Sequence, residues 1–461
     1  MSPTSSSHPF EPGTGAVCAS VTSPSVVGAH RQMVRACLSL VVAGALLFGF
    51  AFATVHRLDG DELSRNPVAY RSQYALSYWL QHGYFSSGGL AARPNDAEER
   101  PGYYVSSSGG QLVSGFAAER LWVAASGHYS YRLLALHNQA VSLVAAALVG
   151  LLAFRLARRL DVPPLRAIAL GVAVEAVVFT FPDNLASYWE MSGRTWFLVF
   201  AAVFLLIEER SDVRTRTSTR AQGAAAFLLT YLDLVTGICF LTAFLLVCLM
   251  LDRDGRHWRR HALRVAVPAL AALAVVAGQL AWVRLVHPEI PRIGSGFLFR
   301  SGLDGSSLYY GDHLDIAFGR DVARANFRYN RAHLFRWPWL FTAGTIASLG
   351  ILLAFVCRRV PRIAIVPILS LAGGYLFYAA VFSQAVAIHP YLYDVLIFTP
   401  LVLALFAVAP SVVESMTEHR GVVVLAAVML AVWVSMLQMR RYALQYPSAP
   451  AAISALPVPV R

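Results

Sequence analysis

The stretch His56-Arg57-Leu58-Asp59-Gly60-Asp61-Glu62 follows directly on an apolar run over residues 36–55. Three carboxylates therefore stand within four positions, where a membrane-spanning helix would leave the bilayer. A loop of about 75 residues separates this point from the next apolar run, and long loops in compact proteins are usually functional. Two interpretations follow. The cluster is a solvated stop after a helix, or it is an acid/base or cation-binding site at the membrane surface.

The composition is that of a membrane protein. The chain has 461 residues, of which 57% are hydrophobic and only 14% are charged, and its mean hydropathy is +0.54. Soluble domains carry about a quarter charged residues. Several apolar runs reach the roughly 20 residues that a spanning helix needs. The sequence therefore predicts an all-α polytopic protein of the cell membrane.

The positive charge has a topological explanation. The net charge is +12, and all 38 basic residues are Arg, which indicates the codon usage of a GC-rich, bacterial genome. Most of these arginines lie between apolar runs, where they orient a membrane protein. The charge therefore does not indicate nucleic-acid binding. The five cysteines contain no Cys-x-x-Cys pair, so neither a disulfide framework nor a zinc site is indicated.

The apolar runs and the arginines between them predict the topology. Spanning helices are expected over 36–55, 134–154, 166–182, 195–208, 262–286, 337–357, 363–383, 391–410 and 421–439. Arginine clusters follow the second, fourth and sixth of these runs and precede the fifth. The positive-inside rule places those clusters in the cytoplasm. The N-terminus is then cytoplasmic, and two large loops, 56–133 and 287–336, lie on the outer face.

The apolar run 222–251 does not fit this alternation, because arginine-rich loops flank both of its ends. It is too long for one spanning helix and short for two, so we expect a hairpin of two helices of about 12 residues each. The sequence Tyr231-Leu-Asp233-Leu-Val-Thr-Gly237 would form the turn, with Asp233 inside the protein and facing water. Such a break is tolerated at membrane depth where it lines a cavity. The expected total is about 11 membrane segments.

The rest of the chain is predicted as two tails and a structured first loop. Residues 1–30 are predicted to form a disordered tail. Residues 31–445 are predicted to form the transmembrane domain, and residues 446–461 a flexible tail. Within the first loop, residues 65–82 suit an amphipathic helix in the membrane interface. A second amphipathic piece, about 111–126, leads to the next spanning helix.

The acidic stretch supplies the candidate catalytic groups. Asp61 is the first choice for a base, because a carboxylate can take the proton of an attacking hydroxyl and burial raises its pKa toward working pH. Asp59 and Glu62 share the stretch. No cofactor is certain, but Asp59 and Asp61 could hold Mg²⁺ or Mn²⁺, whose usual ligands are carboxylate oxygens.

Other polar residues are candidates for substrate binding. The predicted outer turn 181–194 carries Asp183, Glu190 and Arg194 among aromatic residues, a mixture typical of sugar sites. The alternative is that Asp183 or Asn184 caps a helix. Asp233 and Glu175 lie within apolar segments, where carboxylates are functional candidates by default. A structural, hydrogen-bonded role for Glu175 is equally open.

A row of arginines in the second large loop is a candidate phosphate site. Arg320, Arg324 and Arg328 recur at helical spacing and could bind phosphate through bidentate hydrogen bonds. The alternative is that they extend toward lipid headgroups. His389 either binds substrate or starts a helix.

Taken together, these features resemble the GT-C superfamily of polytopic membrane glycosyltransferases. The resemblance rests on Asp59-Gly-Asp61-Glu62 after the first helix, the long first loop, the acidic turn at Asp183, the helix pair around Asp233, and His389-Pro-Tyr391. It implies that Asp59 or Asp61 is the catalytic residue, that the donor is a polyprenyl-phosphate-linked sugar and that catalysis occurs on the outer face. The motif Asp-Gly-Asp-Glu departs from the family's usual acidic pair, and no subfamily signature identifies the sugar.

The sequence therefore predicts transfer of a sugar from a polyprenyl-phosphate donor to a lipid-linked, glycan or protein acceptor. The alternatives are a transporter or flippase of lipid-linked glycans and a non-catalytic membrane subunit. A flippase would place charges along a path through the membrane, and only Glu175 fits that expectation.

Overall fold

A computed structural model describes residues 26–56, 67–90, 92–93, 102–103, 109–179, 193–209, 216–251, 256–288 and 362–381. The α-helices are α1 Val26–His56, α2 Pro67–His82, α3 Val113–Ser126, α4 Tyr131–Arg159, α5 Pro164–Phe179, α6 Gly193–Glu209, α7 Arg216–Leu232, α8 Leu234–Leu251, α9 Arg256–Val286 and α10 Arg362–Val381. Two 3-10 helices, Tyr84–Ser87 and Gly110–Leu112, lie in the first loop. The strands β1 Ala92–Arg93 and β2 Gly102–Tyr103 pair antiparallel there, a small exception to the all-α prediction.

The protein is a helical membrane protein. Four stretches of the described helices are long and apolar enough to cross a bilayer: Gly28–Gly49, Leu133–Arg159, Leu234–Leu251 and His261–Val286. α1 and α9 leave rows of large apolar side chains exposed, including Leu38, Leu46, Leu270 and Leu285, as expected for surfaces that face lipid. The spans predicted over 337–357, 391–410 and 421–439 lie outside the described residues.

Helix α4 is the centre of the described bundle and packs against α1, α5 and α6. α4 and α5 approach closely where Gly150 faces Gly171. A Cβ on Gly150 would lie only 2.6 Å from the Gly171 carbonyl oxygen. Small residues let membrane helices pack backbone to backbone. This contact fixes how deeply the α5 side chains, including Glu175, lie in the bundle.

The C-terminal ends of α4 and α6 are joined by ion pairs. Arg155 and Arg159 both pair with Glu209, with Arg159 Nε 2.9 Å from Glu209 Oε1. Arg155 also donates to the Leu206 carbonyl. α4 and α6 therefore run parallel. We call this side of the bundle the arginine end, and the side where α4 begins the loop end.

The run 222–251 is broken at Asp233, as its sequence predicted. α7 ends at Leu232 and α8 begins at Leu234. A Cβ on Gly237 would lie 2.6 Å from Thr230 Cα, a contact that a continuous helix cannot make across seven residues, so the chain reverses direction. The helices have 17 and 18 residues, longer than the expected 12. α7 begins at Arg216, in the polar sequence before the apolar run, and α8 takes up the whole remainder of the run to Leu251.

Both predicted helices of the first loop are present. α2 covers Pro67–His82, and the second 3-10 helix continues into α3 to give helical structure over 110–126. The start of α1 at Val26 precedes the apolar run by about ten residues, because an α-helix continues into polar sequence until a breaker or cap intervenes.

Candidate active site at the loop end

The first helix, α1, ends at the loop end. α1 runs antiparallel to α4, because Gly44 lies near Leu143 whereas Ala36 packs in a cluster with Ala157. His56 lies about 18 Å beyond Gly44 along the axis, and Tyr131 lies the same distance from Leu143 in the opposite direction. α1 therefore ends at the level where α4 begins, and Asp59, Asp61 and Glu62 follow within six residues of that end.

The first loop docks on the loop-end half of α9. Gly88 takes the left-handed conformation, with φ of 59°, and a Cβ there would lie 2.6 Å from Val283 Cγ2. Leu90 is fully buried and packs with Val276, Leu280 and Val283. Only glycine fits both the backbone conformation and the close approach at position 88. The segment after α2 is therefore held against α9.

A hydrogen-bonded group of three side chains joins the first loop, the α7–α8 turn and α9. Gln279 Nε2 donates to the Tyr231 hydroxyl at 2.9 Å. The Tyr84 hydroxyl bonds with both Tyr231 and Gln279. Burial is the main cause that raises the pKa of Tyr84 well above its usual value, and the hydrogen bond with Tyr231 is the second cause. Tyr84 therefore stays a neutral phenol at physiological pH and can donate or accept.

Trp79 forms the core of the docked loop. Its Nε1 donates to Ser87 Oγ at 2.8 Å and to the Leu90 carbonyl at 3.2 Å. Its ring meets Tyr84 and Phe116 edge to face, with centroids 4.9 and 5.7 Å away, a favoured geometry for aromatic pairs. α2, the 3-10 helix Tyr84–Ser87 and α3 are thereby packed as one layer at the loop end.

Asp233 caps helix α8. Its Oδ1 accepts from the Thr236 backbone N–H at 3.3 Å, and its Oδ2 accepts from the Thr236 hydroxyl at 2.9 Å. This is the usual bonding of an Asp at a helix N-cap. The residue is half-buried and lies two positions after Tyr231. The predicted carboxylate at the hairpin turn therefore lies beside the docked first loop.

The buried carboxylate Glu119 on α3 was not among the sequence-based candidates. It has no exposed surface, and its Oε2 accepts from the Ser130 backbone N–H at 3.1 Å. Burial raises its pKa to about 7, opposed by bonds from the Ser130 and Leu134 backbone. Its position in the helix could have indicated this burial, because Glu119 lies on the same helix face as Leu112 and Gly115, which are buried too.

Of the predicted site residues, the structure describes Asp233 and the backbone of Arg194. Arg194 lies in the first turn of α6, at the loop end. The others lie outside the described residues: Asp59, Asp61, Glu62, Asp183, Glu190, Arg320, Arg324, Arg328 and His389. The chain nevertheless leaves the bundle at the loop end toward three of these groups, after His56, Phe179 and Val286. Within the described part of the chain, no group of three His, Cys, Asp or Glu side chains is placed to hold a metal ion.

Glu175 lies within the bundle, away from the loop-end layer. It is fully buried on α5, and its Oε1 would lie 2.9 Å from a Cβ added to Gly44 of α1. Neither carboxylate oxygen has a hydrogen-bond partner among the described residues. A carboxyl group in such a setting is costly, so Glu175 is a separate functional candidate.

Comparison with known proteins shows a distant structural likeness. No protein-family model and no curated protein sequence matches this chain. The fold is similar to the crystal structure of ArnT from Cupriavidus metallidurans bound to undecaprenyl phosphate, with a TM-score of 0.47 and 13% sequence identity. The match covers 85% of this chain and 63% of ArnT, so this chain spans less than two thirds of that protein. A likeness at this level does not assign the chain to a family.

Proposed function

We propose that this protein is a GT-C-like membrane glycosyltransferase that moves a sugar from a polyprenyl-phosphate donor to a lipid-linked, glycan or protein acceptor on the outer face. The observation that supports it is the convergence at the loop end. The end of α1, which leads into the acidic stretch, lies at the same end of the bundle as the docked first loop and the Asp233 turn. The end of α9, which leads into the arginine row, lies there as well.

The proposed reaction is an inverting displacement. Asp61, or Asp59 in its place, accepts the proton of the acceptor hydroxyl as that oxygen attacks the anomeric carbon. The bond between this carbon and the donor phosphate breaks, and polyprenyl phosphate leaves as an anion. Arg320, Arg324 and Arg328 hold that phosphate through charge-assisted hydrogen bonds. Asp183, Glu190, Arg194, Asp233 and His389 are the proposed substrate-binding residues.

A divalent cation fits this proposal without being required by it. The oxygen ligands of Asp59 and Asp61 suit Mg²⁺ or Mn²⁺. A cation there would supply positive charge to the departing phosphate. With or without the cation, a carboxylate accepts the proton of the acceptor hydroxyl.

The test is the charge-neutral variant Asp61→Asn, alone and combined with Asp59→Asn. Loss of a general base costs about 10²–10⁴-fold in rate, whereas a surface substitution changes stability by only about 0.5 kcal/mol in either direction. We therefore expect normal expression and thermal stability, and loss of the surface glycan in a complemented knockout strain. Asp96→Asn, the same change elsewhere in the first loop, should restore the glycan. Restoration by the double variant would reject the assignment of the base.

One observation favours a second candidate, a flippase of lipid-linked glycans. Glu175 is buried within the membrane bundle with no hydrogen-bond partner in the described structure, a placement common on transport paths. The two functions separate in proteoliposomes. A flippase moves a labelled lipid-linked sugar between leaflets without an acceptor, whereas a transferase consumes it only when an acceptor is present.

A further inference from the structure

The side chain of Glu175 is enclosed where α1, α4 and α5 meet. It has no exposed surface. A Cβ added to Gly44 of α1 would lie 2.9 Å from Glu175 Oε1, and a Cβ added to Gly150 of α4 would lie 3.1 Å from Glu175 Cβ. A larger side chain at either position would therefore press against Glu175. The two glycines let α1 and α4 close around the carboxyl group.

The helices that enclose Glu175 offer it no counter-charge. Neither of its carboxylate oxygens has a hydrogen-bond partner among the described residues. The facing stretches, 38–49 of α1 and 140–154 of α4, contain no titratable side chain, and Glu175 is the only one within 167–179 of α5. The titratable residues that flank these stretches are Cys37, His137, Arg155 and Arg166. Each lies more than one helical turn, about 5 Å, along the axis from the level of Glu175, and Arg155 is paired with Glu209.

These surroundings favour the neutral carboxyl group. An ionised carboxylate that is buried without a partner loses its hydration and gains no opposite charge, so such a group normally takes up a proton instead. Because Glu175 has no exposed surface, no water molecule or larger ligand fits beside its oxygens in the described bundle. A proton is a ligand that needs no such space.

Of the helices around Glu175, α1 is held least firmly. Only 17% of its apolar window is buried, against 61% in α4. Its contact with the bundle is a narrow stripe that includes Ala36, Leu40 and Gly44, and Gly44 is the residue that covers Glu175 Oε1. Because packing contacts hold membrane helices together, separation of α1 would break fewer contacts than separation of α4. Movement of α1 is therefore the least costly way to expose the carboxyl group.

We infer that Glu175 is a proton-binding site, and that release of its proton separates α1 from α4 and α5. With the proton bound, the carboxyl group is neutral and α1 packs over it. When α1 moves away, water reaches the carboxyl group, accepts the proton and hydrates the carboxylate that remains. Proton binding and packing of α1 therefore favour each other. This inference goes beyond the proposed transferase reaction and does not depend on it.

The experiment measures the distance between α1 and α5 as a function of pH. Spin labels are attached to Leu46→Cys on α1 and Leu165→Cys on α5, in the full-length, cysteine-free protein in nanodiscs. Both positions are exposed, by 73% and 78%. We expect one distance population at pH 5 and a second, longer one that grows as the pH rises to 10. Glu175→Gln keeps the shape of the side chain but cannot ionise, so it should show the pH 5 distance throughout.

Two glycines of α1 provide a matched pair of variants. A Cβ at Gly44 meets the Glu175 carboxyl group, whereas nothing lies within 4 Å of a Cβ at Gly49. Gly44→Ala should lower the midpoint pH of the separation by about one unit, because overpacking costs at least the equivalent of a tenfold change in an equilibrium constant. Gly49→Ala should keep the wild-type midpoint. This pair tests the inference even where Glu175→Gln fails to fold.

A second measurement detects the proton itself. Infrared difference spectra of wild type between pH 5 and pH 10 should show loss of the C=O stretch of a protonated carboxyl group, and Glu175→Gln should lack this band. Glu119→Gln is the control, because it removes another carboxylate with no exposed surface. It should retain both the Glu175 band and the separation of α1.

Three outcomes would count against the inference. A wild-type distance that stays the same from pH 5 to pH 10 would reject the release of α1. The same pH-dependent separation in Glu175→Gln as in wild type would assign the movement to another group. Absence at pH 5 of a protonated carboxyl band that depends on Glu175 would reject the proton-binding site. The transferase proposal would stand in each case, because its test is the loss of glycan in Asp61→Asn.

Discussion

Glu119 illustrates how one residue links the first loop to the membrane bundle. Its carboxylate reaches from α3 to the start of α4 and accepts the Ser130 N–H. The sequence around Glu119 does not predict this role, because a glutamate in an amphipathic helix is ordinarily solvated. Only the packing of α3 on α4 buries the face that carries it. The sequence contains a weak indication that this face is buried, because Leu112 and Gly115 on the same face are apolar or small.

Titration of Glu119 should make stability depend on pH. Its pKa rises from 4.5 to about 7 on folding, so the folded state holds the proton more tightly than the unfolded state. The resulting stability is fully present below about pH 4.5 and is lost as the pH rises through about 7, by up to roughly 3 kcal/mol. Glu119→Gln should flatten this part of the curve of melting temperature against pH.

The control for this prediction is Glu99→Gln, the same change elsewhere in the first loop, which should keep the wild-type pH dependence. Thermal unfolding in detergent between pH 4.5 and 8 measures both variants. Parallel curves for wild type and Glu119→Gln would show that this carboxyl does not carry the effect.

At the level of elements, docking of the first loop on α9 depends on Gly88. An alanine there meets two obstacles, a left-handed backbone and the Val283 side chain. Gly127 has the same left-handed backbone, with φ of 77°, but open space around it. The two glycines therefore separate backbone strain from loss of docking.

We expect Gly88→Ala to expose the first loop and Gly127→Ala to leave it docked. Left-handed backbone costs an alanine about 1–2 kcal/mol in either position, and only Gly88→Ala adds a clash with α9. Limited proteolysis within residues 91–108 should therefore become faster in Gly88→Ala alone, with activity falling in parallel. Equal cleavage rates in the two variants would mean that the contact with Val283 does not hold the loop.

The elements were more predictable than their contacts. The break at Asp233 and both first-loop helices could be read from sequence, because turn residues and apolar periodicity act locally. The group of Tyr84, Tyr231 and Gln279 could not. These residues are far apart in the chain, and no local pattern shows that three separate elements meet. The same limit applies to the contact between Glu119 and Ser130.

For the whole molecule, the positions of the helix ends matter most. The described helices bring the chain to the loop end after α1, after α5, between α7 and α8, and after α9. The three segments that the sequence predicts on the outer face, 56–133, 181–194 and 287–336, therefore start from the same end of the bundle as the Asp233 turn. The arginines that orient the protein in that analysis include Arg155 and Arg159, which lie at the opposite end.

The loop end should face the outside of the cell. Cysteines introduced singly at Ser107 and Ser306 of a cysteine-free variant should react with a membrane-impermeant thiol reagent in intact cells, because the positive-inside rule keeps the arginine end in the cytoplasm. A cysteine at Ser211, between α6 and α7, serves as the control and should react only after permeabilisation. The reverse labelling pattern would place the loop end in the cytoplasm and remove the basis for an outer-face reaction.

The docking of Gly88 against Val283 also sets an order of events during synthesis. The two residues are 195 positions apart, and ribosomes add about 5–20 residues per second. The first loop therefore emerges roughly 10–40 s before its partner surface on α9 exists. During that interval Leu90 has no docking surface on α9, and the nascent chain exposes an apolar side chain that the finished protein buries. The late arrival of α9 makes it the element that completes the loop end.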